Sequence, residues 1–277
     1  MAYALPGLRA IAEQYDAFLV DLWGVVHDGN RPFSGVIEAL RELSAAGRRV
    51  IFLTNTSRTG PLVAETLAGM GIGPELYDAV ISSGDVTREA LLSRDPALFD
   101  LLPEHPRCVH VGDPSFVPWL FEVGLTFSGD LADADLVVAT GSVRDDAELA
   151  GLRAHLAPTA ARGVPLVCTN PDRVIPRAAG STLGPGAVAA AYAELGARVF
   201  LYGKPHPPIY AAARRQLGAV AMARVVAIGD LLDTDIRGAR NAGIASVLVT
   251  ETGASALDVV GAAEGVVPDM VLARFAW

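Results

Sequence analysis

The feature that most constrains this chain is a rhythm of short apolar runs, each followed by a stretch with helical spacing. The runs AFLVDLW (17–23), RVIFLTN (49–55) and AVIS (79–82) contain few or no interior polar residues, so they predict strands buried on both faces. Between them, FSGVIEALRELSAAG (33–47) predicts a helix with Ser34 as N-cap and Gly47 as stop. GPLVAETLAGMG (60–71) predicts another, with Pro61 in its first turn. Strand and helix alternating in this way, with strands apolar throughout, imply an α/β chain whose parallel sheet is covered by helices.

The rhythm continues in two further series. The second has strands RCVHVG (107–112), DLVVATG (135–141) and VPLVCTN (164–170), with helix-like PSFVPWLFEVG (114–124) and DDAELAGLRAHLAPTAARG (145–163) between them. The third has strands RVFLYGKP (198–205), RVVAIGD (224–230), ASVLVTETG (245–253) and DMVLARF (269–275), with helices HPPIYAAARRQLGA (206–219) and TDIRGARNAG (234–243). At 277 residues the chain has room for two domains. The expected arrangement is a Rossmann-like core of 1–83 plus 184–277, with 84–183 inserted as a second α/β domain. The joints SSGD (82–85) and GSTLGPGA (180–187) suit hinges.

Composition narrows the partners. A net charge of −9 excludes a nonspecific nucleic-acid binder, which needs a basic face. Cys108 and Cys168 are too far apart for a metal-ligand motif and give no disulfide framework. The N-terminal MAYALPGLRAIAEQYD lacks an apolar signal core, and no run is long enough to span a membrane. A cytoplasmic protein with no membrane partner is the expectation.

The polar residues that end strands carry the chemistry. Ligands of open α/β sheets bind at the carboxyl ends of strands, where Asp21, Thr54, Asn55, Lys204 and Asp230 all fall. Two converging carboxylates repel each other unless a cation lies between them, and Mg²⁺ is the usual hard cation for such a site. Lys204 adds a fixed positive charge, Thr54 and Asn55 add neutral donors, and the turn after Asp21 and the helix start near Ser57–Pro61 offer backbone N–H groups. Together these make a phosphate site in which a carboxylate can attack phosphorus. Singly, each has a plainer reading: a cap, a turn or a solvated loop.

As a set, the segments DLWGVVHDG (21–29), LTNTSRT (53–59), YGKP (202–205) and GDLLDTDIRGARNAG (229–243) resemble the four motifs of the haloacid dehalogenase-like superfamily, in its class IIA capped phosphatase branch. TNPDRVIP (169–176) resembles the Asn-Pro-Asp segment of class IIA caps. The resemblance implies a phosphatase in which Asp21 is the nucleophile, Thr54 the hydroxyl that binds the transferring phosphoryl group and Lys204 the motif lysine. It also implies that Asp230 is a Mg²⁺ ligand and that Asp235 holds the metal shell or the lysine. Asn55, Ser57, Arg58 and Asp172, with Arg173 and Arg177, are candidate substrate contacts. His110, His155 and His206 are scattered and read as core or surface residues.

One position departs from the family. Two residues after the nucleophile most family phosphatases carry a second aspartate, whose side chain moves protons and whose carbonyl binds metal. Here that residue is Trp23, which keeps the carbonyl but has an indole N–H that only donates. Three readings follow. One is a working Mg²⁺-dependent phosphatase, acting through an aspartyl phosphate on a small phosphorylated metabolite, with Asp28, His27 or a cap residue moving protons. Another is a weakly active or inactive phosphate-ligand binder. The last is a metal-independent displacement at carbon, to which the retained Asp230 and Asp235 are opposed. The resemblance also implies a homodimer formed through the cap.

Overall fold

A computed structural model of the chain describes residues 2–177, 180–251 and 265–277. The strands among them are β1 (Tyr3–Leu5), β2 (Ala17–Val20), β3 (Arg49–Thr54), β4 (Ala79–Ser82), β5 (Arg107–Val111), β6 (Thr126–Phe127) and β7 (Leu136–Ala139). They continue with β8 (Leu166–Cys168), β9 (Val174–Arg177), β10 (Gly180–Leu183), β11 (Val199–Leu201), β12 (Val225–Gly229), β13 (Ala245–Val249) and β14 (Met270–Leu272). The α-helices are α1 (Val36–Ala45), α2 (Gly60–Gly69), α3 (Ser83–Leu92), α4 (Pro96–Phe99), α5 (Asp146–Ala161), α6 (Pro185–Ala193), α7 (Pro207–Leu217) and α8 (Arg237–Ala242). Two compact units result: residues up to Thr54 with Gly60–Ile81 and Lys204–Trp277, and Asn55–Thr59 with Ser82–Gly203.

In the first unit a seven-stranded sheet runs β1-β14-β13-β12-β2-β3-β4, and each pairing with a described register is parallel. The fully buried β2 explains its unbroken apolar run. Helix α1 buries Val36, Ala39, Leu40 and Leu43, the i, i+3, i+4, i+7 stripe of an amphipathic helix, in one cluster with Phe18, Val20, Val50 and Phe52 of the sheet. Truncating Leu40 or Phe52 to alanine there would cost roughly 2–5 kcal/mol. Helix α7 buries Ile209, Ala213 and Leu217 and packs on β3.

The second unit has its own five-stranded sheet, β11-β8-β7-β5-β6, parallel throughout, and a separate antiparallel hairpin β9–β10. Its core joins Val137, Leu156, Leu166, Val188 and Tyr192, and the Tyr192 hydroxyl donates to the Val164 carbonyl at 2.9 Å.

Several expectations are corrected. The second domain crossing falls at 203/204, not 183/184, because β11 pairs with β8 (Val199 to Leu166, Leu201 to Cys168) and α6 buries Val188 and Tyr192 in the second core. The first crossing falls at Ile81/Ser82, ahead of the expected 83/84. Residues 198–205 therefore do not supply a strand to the first sheet, and Lys204 follows the crossing instead of ending a core strand. The joint at 82–85 is a helix start: Ser82 and Asp85 form a reciprocal cap, Asp85 N–H to Ser82 Oγ at 2.9 Å and Ser82 N–H to Asp85 Oδ2 at 3.0 Å. The joint at 180–187 is β10 followed by the Gly184-Pro185 start of α6. Ser34 does not cap α1; the cap position is Gly35, left-handed at φ 86°, with no side-chain bond. Residues 114–124 form two short 3₁₀ turns, since Pro118 disfavours helical backbone at Val117, which sits at φ −137°, ψ 52°. The strand expected over 245–253 ends at Val249, and residues 252 and 253 lie outside the described residues. Among the described residues no helix is long and apolar enough to cross a membrane.

Candidate active site

Three neighbouring strands of the first sheet set the site. Val20 of β2 lies between Ile228 of β12 and Phe52 of β3, and the Asp21 N–H extends the ladder by donating to the Ile228 carbonyl at 2.9 Å. Asp230, Asp21 and Thr54 thus lie at the carboxyl ends of adjacent parallel strands, all buried. From β2 the chain moves on to β3, and from β12 it moves to β13 on the other side. This reversal of strand order is where open α/β sheets bind ligands.

Lys204 is 3% exposed, and its Nζ lies 2.7 Å from Asp21 Oδ1 and 2.7 Å from Asp235 Oδ1. Asp235 is carried on a turn of π-helix, Leu232–Ile236. Its Oδ2 accepts from the Leu231 N–H at 3.2 Å and from Thr234 Oγ1 at 3.3 Å, so both oxygens have partners. Two glycines make room for the acids. A Cβ at Gly229 would overlap the Asp235 side chain, and one at Gly24, which has φ 79°, would overlap Asp230 Oδ2. Sequence reading missed both, although each glycine stands beside a motif acid or one residue past Trp23. It also missed Tyr210, whose buried hydroxyl lies close against Gly238 and whose pKa is raised by burial and then by Asp235.

Three carboxylates face one ammonium. Burial works against the charge of Lys204, but Asp21 and Asp235 outweigh it and hold the ammonium well above its usual range. Burial, then the charges of Asp21 and Asp235, push the Asp230 carboxyl up to about 9. Asp230 Oδ1 is buried with no hydrogen-bond partner among the described residues. One ligand atom from each of Asp21, Asp230 and Asp235 lies within 4.8 Å of the others, and among the described residues this trio is the only group of its kind. An all-oxygen donor set, an excess of negative charge and an orphaned carboxylate oxygen are what a hard divalent cation requires. With Asp235 committed to Lys204 and its own turn, Asp21 and Asp230 are the side chains suited to hold that cation.

The remaining sequence candidates, His206 excepted, belong to the second unit. Asn55 is buried and its Nδ2 donates to Asp172 Oδ1 at 2.7 Å. Ser57 has its hydroxyl engaged within the second unit. Its Oγ accepts from Thr169 Oγ1 at 2.6 Å and donates to the Thr140 carbonyl at 3.4 Å, while its own carbonyl accepts from Trp119 Nε1 at 3.0 Å. The Arg58 N–H donates to Thr56 Oγ1 at 3.3 Å, Arg173 is exposed, and the Arg177 side chain lies outside what is described. His110 pairs with Thr140 Oγ1 at 2.6 Å, His155 is exposed, and His206 is half-buried at the start of α7.

Two family models match the chain, one described as haloacid dehalogenase-like hydrolase over residues 18–126 and one as HAD-hydrolase-like over 201–276. Chronophin of Rattus norvegicus is 32% identical over 259 residues, which cover 91% of this chain and 81% of that protein. The chain belongs to the haloacid dehalogenase-like hydrolase family. A family member from Brucella suis has the same fold, with TM-score 0.83 and 31% identity over 98% of this chain and 99% of that one. Glycerol phosphate phosphatase of Mycobacterium tuberculosis, solved in complex with magnesium, gives TM-score 0.70 and 28% identity over 94% of this chain and 76% of that one. Within the haloacid dehalogenase-like family the chain is a phosphoric monoester hydrolase of the class IIA branch.

Against that family pattern the loop after Asp21 stands out. Trp23 is 37% exposed, and its ring folds back onto its own loop, where a Cβ at Gly29 (φ 94°) would overlap it. It stands edge-on to His27, centroids 6.0 Å apart. The Gly29 N–H donates to His27 Nδ1 at 3.0 Å and the Gly24 N–H to the His27 carbonyl at 3.1 Å. Nδ1 accepts there, so the neutral ring carries its proton on Nε2, and burial keeps it neutral by lowering its pKa. Asp28 Oδ1 accepts from the Asn30 and Arg31 N–H groups at 2.9 Å each, and those bonds hold its carboxyl below the usual range. Asp28 is therefore a turn former, the plainer of its two sequence readings.

Proposed function

We propose that this hydrolase is a Mg²⁺-dependent phosphatase that cleaves a small-molecule phosphomonoester through an aspartyl phosphate on Asp21. We further propose that Trp23 restricts it to esters with good leaving groups. The observation that carries the reading is the buried bridge of Lys204 between Asp21 and Asp235, next to an Asp230 oxygen without a partner among the described residues. The magnesium complex of the mycobacterial relative supports the choice of metal.

Asp21, Asp230 and the Trp23 carbonyl would hold the ion. Bound there, Mg²⁺ supplies positive charge that offsets the carboxylates and the phosphate oxygens. The chain's own groups do the rest. Lys204 fixes the attacking carboxylate and keeps it ionised. The Thr54 hydroxyl donates to a phosphate oxygen. An Asp21 oxygen forms a bond to phosphorus as the ester P–O bond breaks, and the bonding pair leaves with the ester oxygen. Water then cleaves the acyl phosphate, regenerating the carboxylate and releasing inorganic phosphate.

Neither Trp23 nor Asp28 can hand a proton to the leaving oxygen. Loss of the family's acid–base side chain at position 23 costs about 10²–10⁴-fold in rate, and the loss falls hardest on alkoxide leaving groups. Aryl phosphates, whose phenolate leaves unaided, escape most of it. The second reading, a phosphate-ligand binder of little activity, is favoured by the same two residues.

Hydrolysis of 4-nitrophenyl phosphate with and without Mg²⁺ separates them. The phosphatase reading expects metal-dependent turnover that falls on the order of 10⁴-fold or more in Asp21→Asn, as when a covalent nucleophile is lost. It also expects a steep dependence of rate on leaving-group acidity that flattens in Trp23→Asp. A silent wild type alongside an active Trp23→Asp would decide for the binder.

A further inference from the structure

We propose that Asp172 is a positioning residue for turnover, acting through Asn55, and that neither side chain contacts substrate. The inference rests on the phosphatase reading above and reassigns two residues whose sequence context suggested substrate binding.

Chain connectivity and second-unit geometry together support it. Asn55 is peptide-bonded to Thr54, and Gly203 is peptide-bonded to Lys204, so each adjoins a residue of the acid–lysine site. Asn55 and Gly203 touch: a Cβ at Gly203 would overlap Asn55 Oδ1 and crowd Pro171 Cδ and Ser83 Oγ. Asp172 grips this junction, since its Oδ1 accepts from Asn55 Nδ2 at 2.7 Å. Asp172 is fixed in turn, because its N–H donates to Asn170 Oδ1 at 2.9 Å and its carbonyl accepts from the Gly186 N–H at 3.2 Å, at the start of α6. A charge-assisted bond of this length to a buried amide is among the stronger single contacts a side chain makes.

The rest of the segment is fastened in the same way. The Thr56 carbonyl accepts from the Gly84 N–H at 3.0 Å, and Ser57 is held by Trp119 and Thr169. No Cβ fits at Gly84, which packs on the Ser57 carbonyl. The three residues after Thr54, Asn55 to Ser57, are thus tied down by groups far away in sequence. The buried Asn55 amide, spent on Asp172 and packed on Gly203, is built to set backbone position. Errors of about 1 Å in placing reacting groups cost up to roughly 10²-fold in rate, so a fastener here acts on kcat.

The test compares Asp172→Ala, Asp172→Asn and Asn55→Ala with wild type, on 4-nitrophenyl phosphate with Mg²⁺. Asp172→Ala should lower kcat about tenfold or more with KM nearly unchanged, in the range seen when groups supporting a catalytic residue are removed. Asp172→Asn, which keeps an acceptor oxygen, should restore most of the rate, and the Asn55→Ala/Asp172→Ala double variant should be no slower than the worse single one. A rise in KM at unchanged kcat would make Asp172 a substrate contact and overturn the proposal, as would wild-type kinetics in Asp172→Ala. Hydrogen exchange gives a readout independent of activity. In Asp172→Ala the peptides containing Thr54–Thr59 and Lys204 should exchange faster while α5 and β12 hold their wild-type rates. Unchanged exchange at both peptides sinks the fastener even if the wild type proves to have no phosphatase activity, and a silent wild type with accelerated exchange sinks only the phosphatase reading.

Discussion

The two units contain sheets of the same kind, parallel and apolar along their strands, yet their carboxyl ends differ sharply. In the first, β12, β2 and β3 end in Asp230, Asp21 and Thr54, with an excess of buried acid and one carboxylate oxygen that has no partner among the described residues. In the second, β7 and β8 lead into Thr140 and Thr169-Asn170, and their polar groups are spent internally. Thr140 Oγ1 pairs with His110, Thr169 Oγ1 with Ser57, and Asn170 Oδ1 with the Asp172 N–H. Neutral, satisfied strand ends make a scaffold; charged, unsatisfied ones make a site, because only the latter leave free energy for a ligand to recover.

Charge should produce the largest difference between them. Without metal, the folded state holds the Asp230 proton at a pKa of about 9, against about 3.9 for an unfolded aspartate. The folded chain therefore binds more protons than the unfolded chain between those values. Stability should be greatest in this respect below about pH 4 and should decline as pH rises towards about 9. Thermal midpoints in EDTA should trace that decline, and excess Mg²⁺ should flatten it. A flat EDTA profile would remove the electrostatic contrast between the two sheets.

Next in size is Lys204→Met, which leaves Asp21 and Asp235 buried without their shared cation. Removing one partner of a buried pair costs about 3–5 kcal/mol, read as a lower urea midpoint, and Mg²⁺ should recover part of it. Gly229→Ala puts a methyl group where the Asp235 side chain lies. Overpacking of this kind costs roughly 1–3 kcal/mol, and kcat should fall with it as Lys204 loses its second anchor. The smallest effect belongs to the second sheet. Tyr192→Phe removes the bond to the Val164 carbonyl, and about 1 kcal/mol of stability should be lost with kcat unaltered. A kcat change there would show that the second core is more than a scaffold.

These contrasts follow what the sequence could and could not disclose. Strand-end acids were legible only as a set: singly Asp21 and Asp230 read equally well as caps or turn formers, and what set them apart was their common place, with Thr54 and Lys204, at the polar ends of apolar runs in one α/β pattern. The boundary at 203/204 was not, because an apolar run such as Val199–Leu201 does not say which sheet it joins; its pairing with Leu166–Cys168 is a tertiary choice. The partners of Ser57 were hidden for a related reason. In LTNTSRT a hydroxyl could face a phosphate or a core, and the partner it has in the second unit, Thr169, lies 112 residues away. The cap of α1 turned on backbone conformation at Gly35, which no side-chain preference at Ser34 could reveal.

The loop around Trp23 has a consequence for mutational history. Gly29 is required twice, once by its φ of 94° and once by the indole ring lying where a Cβ would go. Replacing Trp23 lifts the second requirement and leaves the first. Gly29→Ala should therefore be worse tolerated with tryptophan at 23 than with aspartate there, making the two positions epistatic. A lineage that passed between an acid and an indole at this position could accept changes at 29 more readily on one side of that step than on the other.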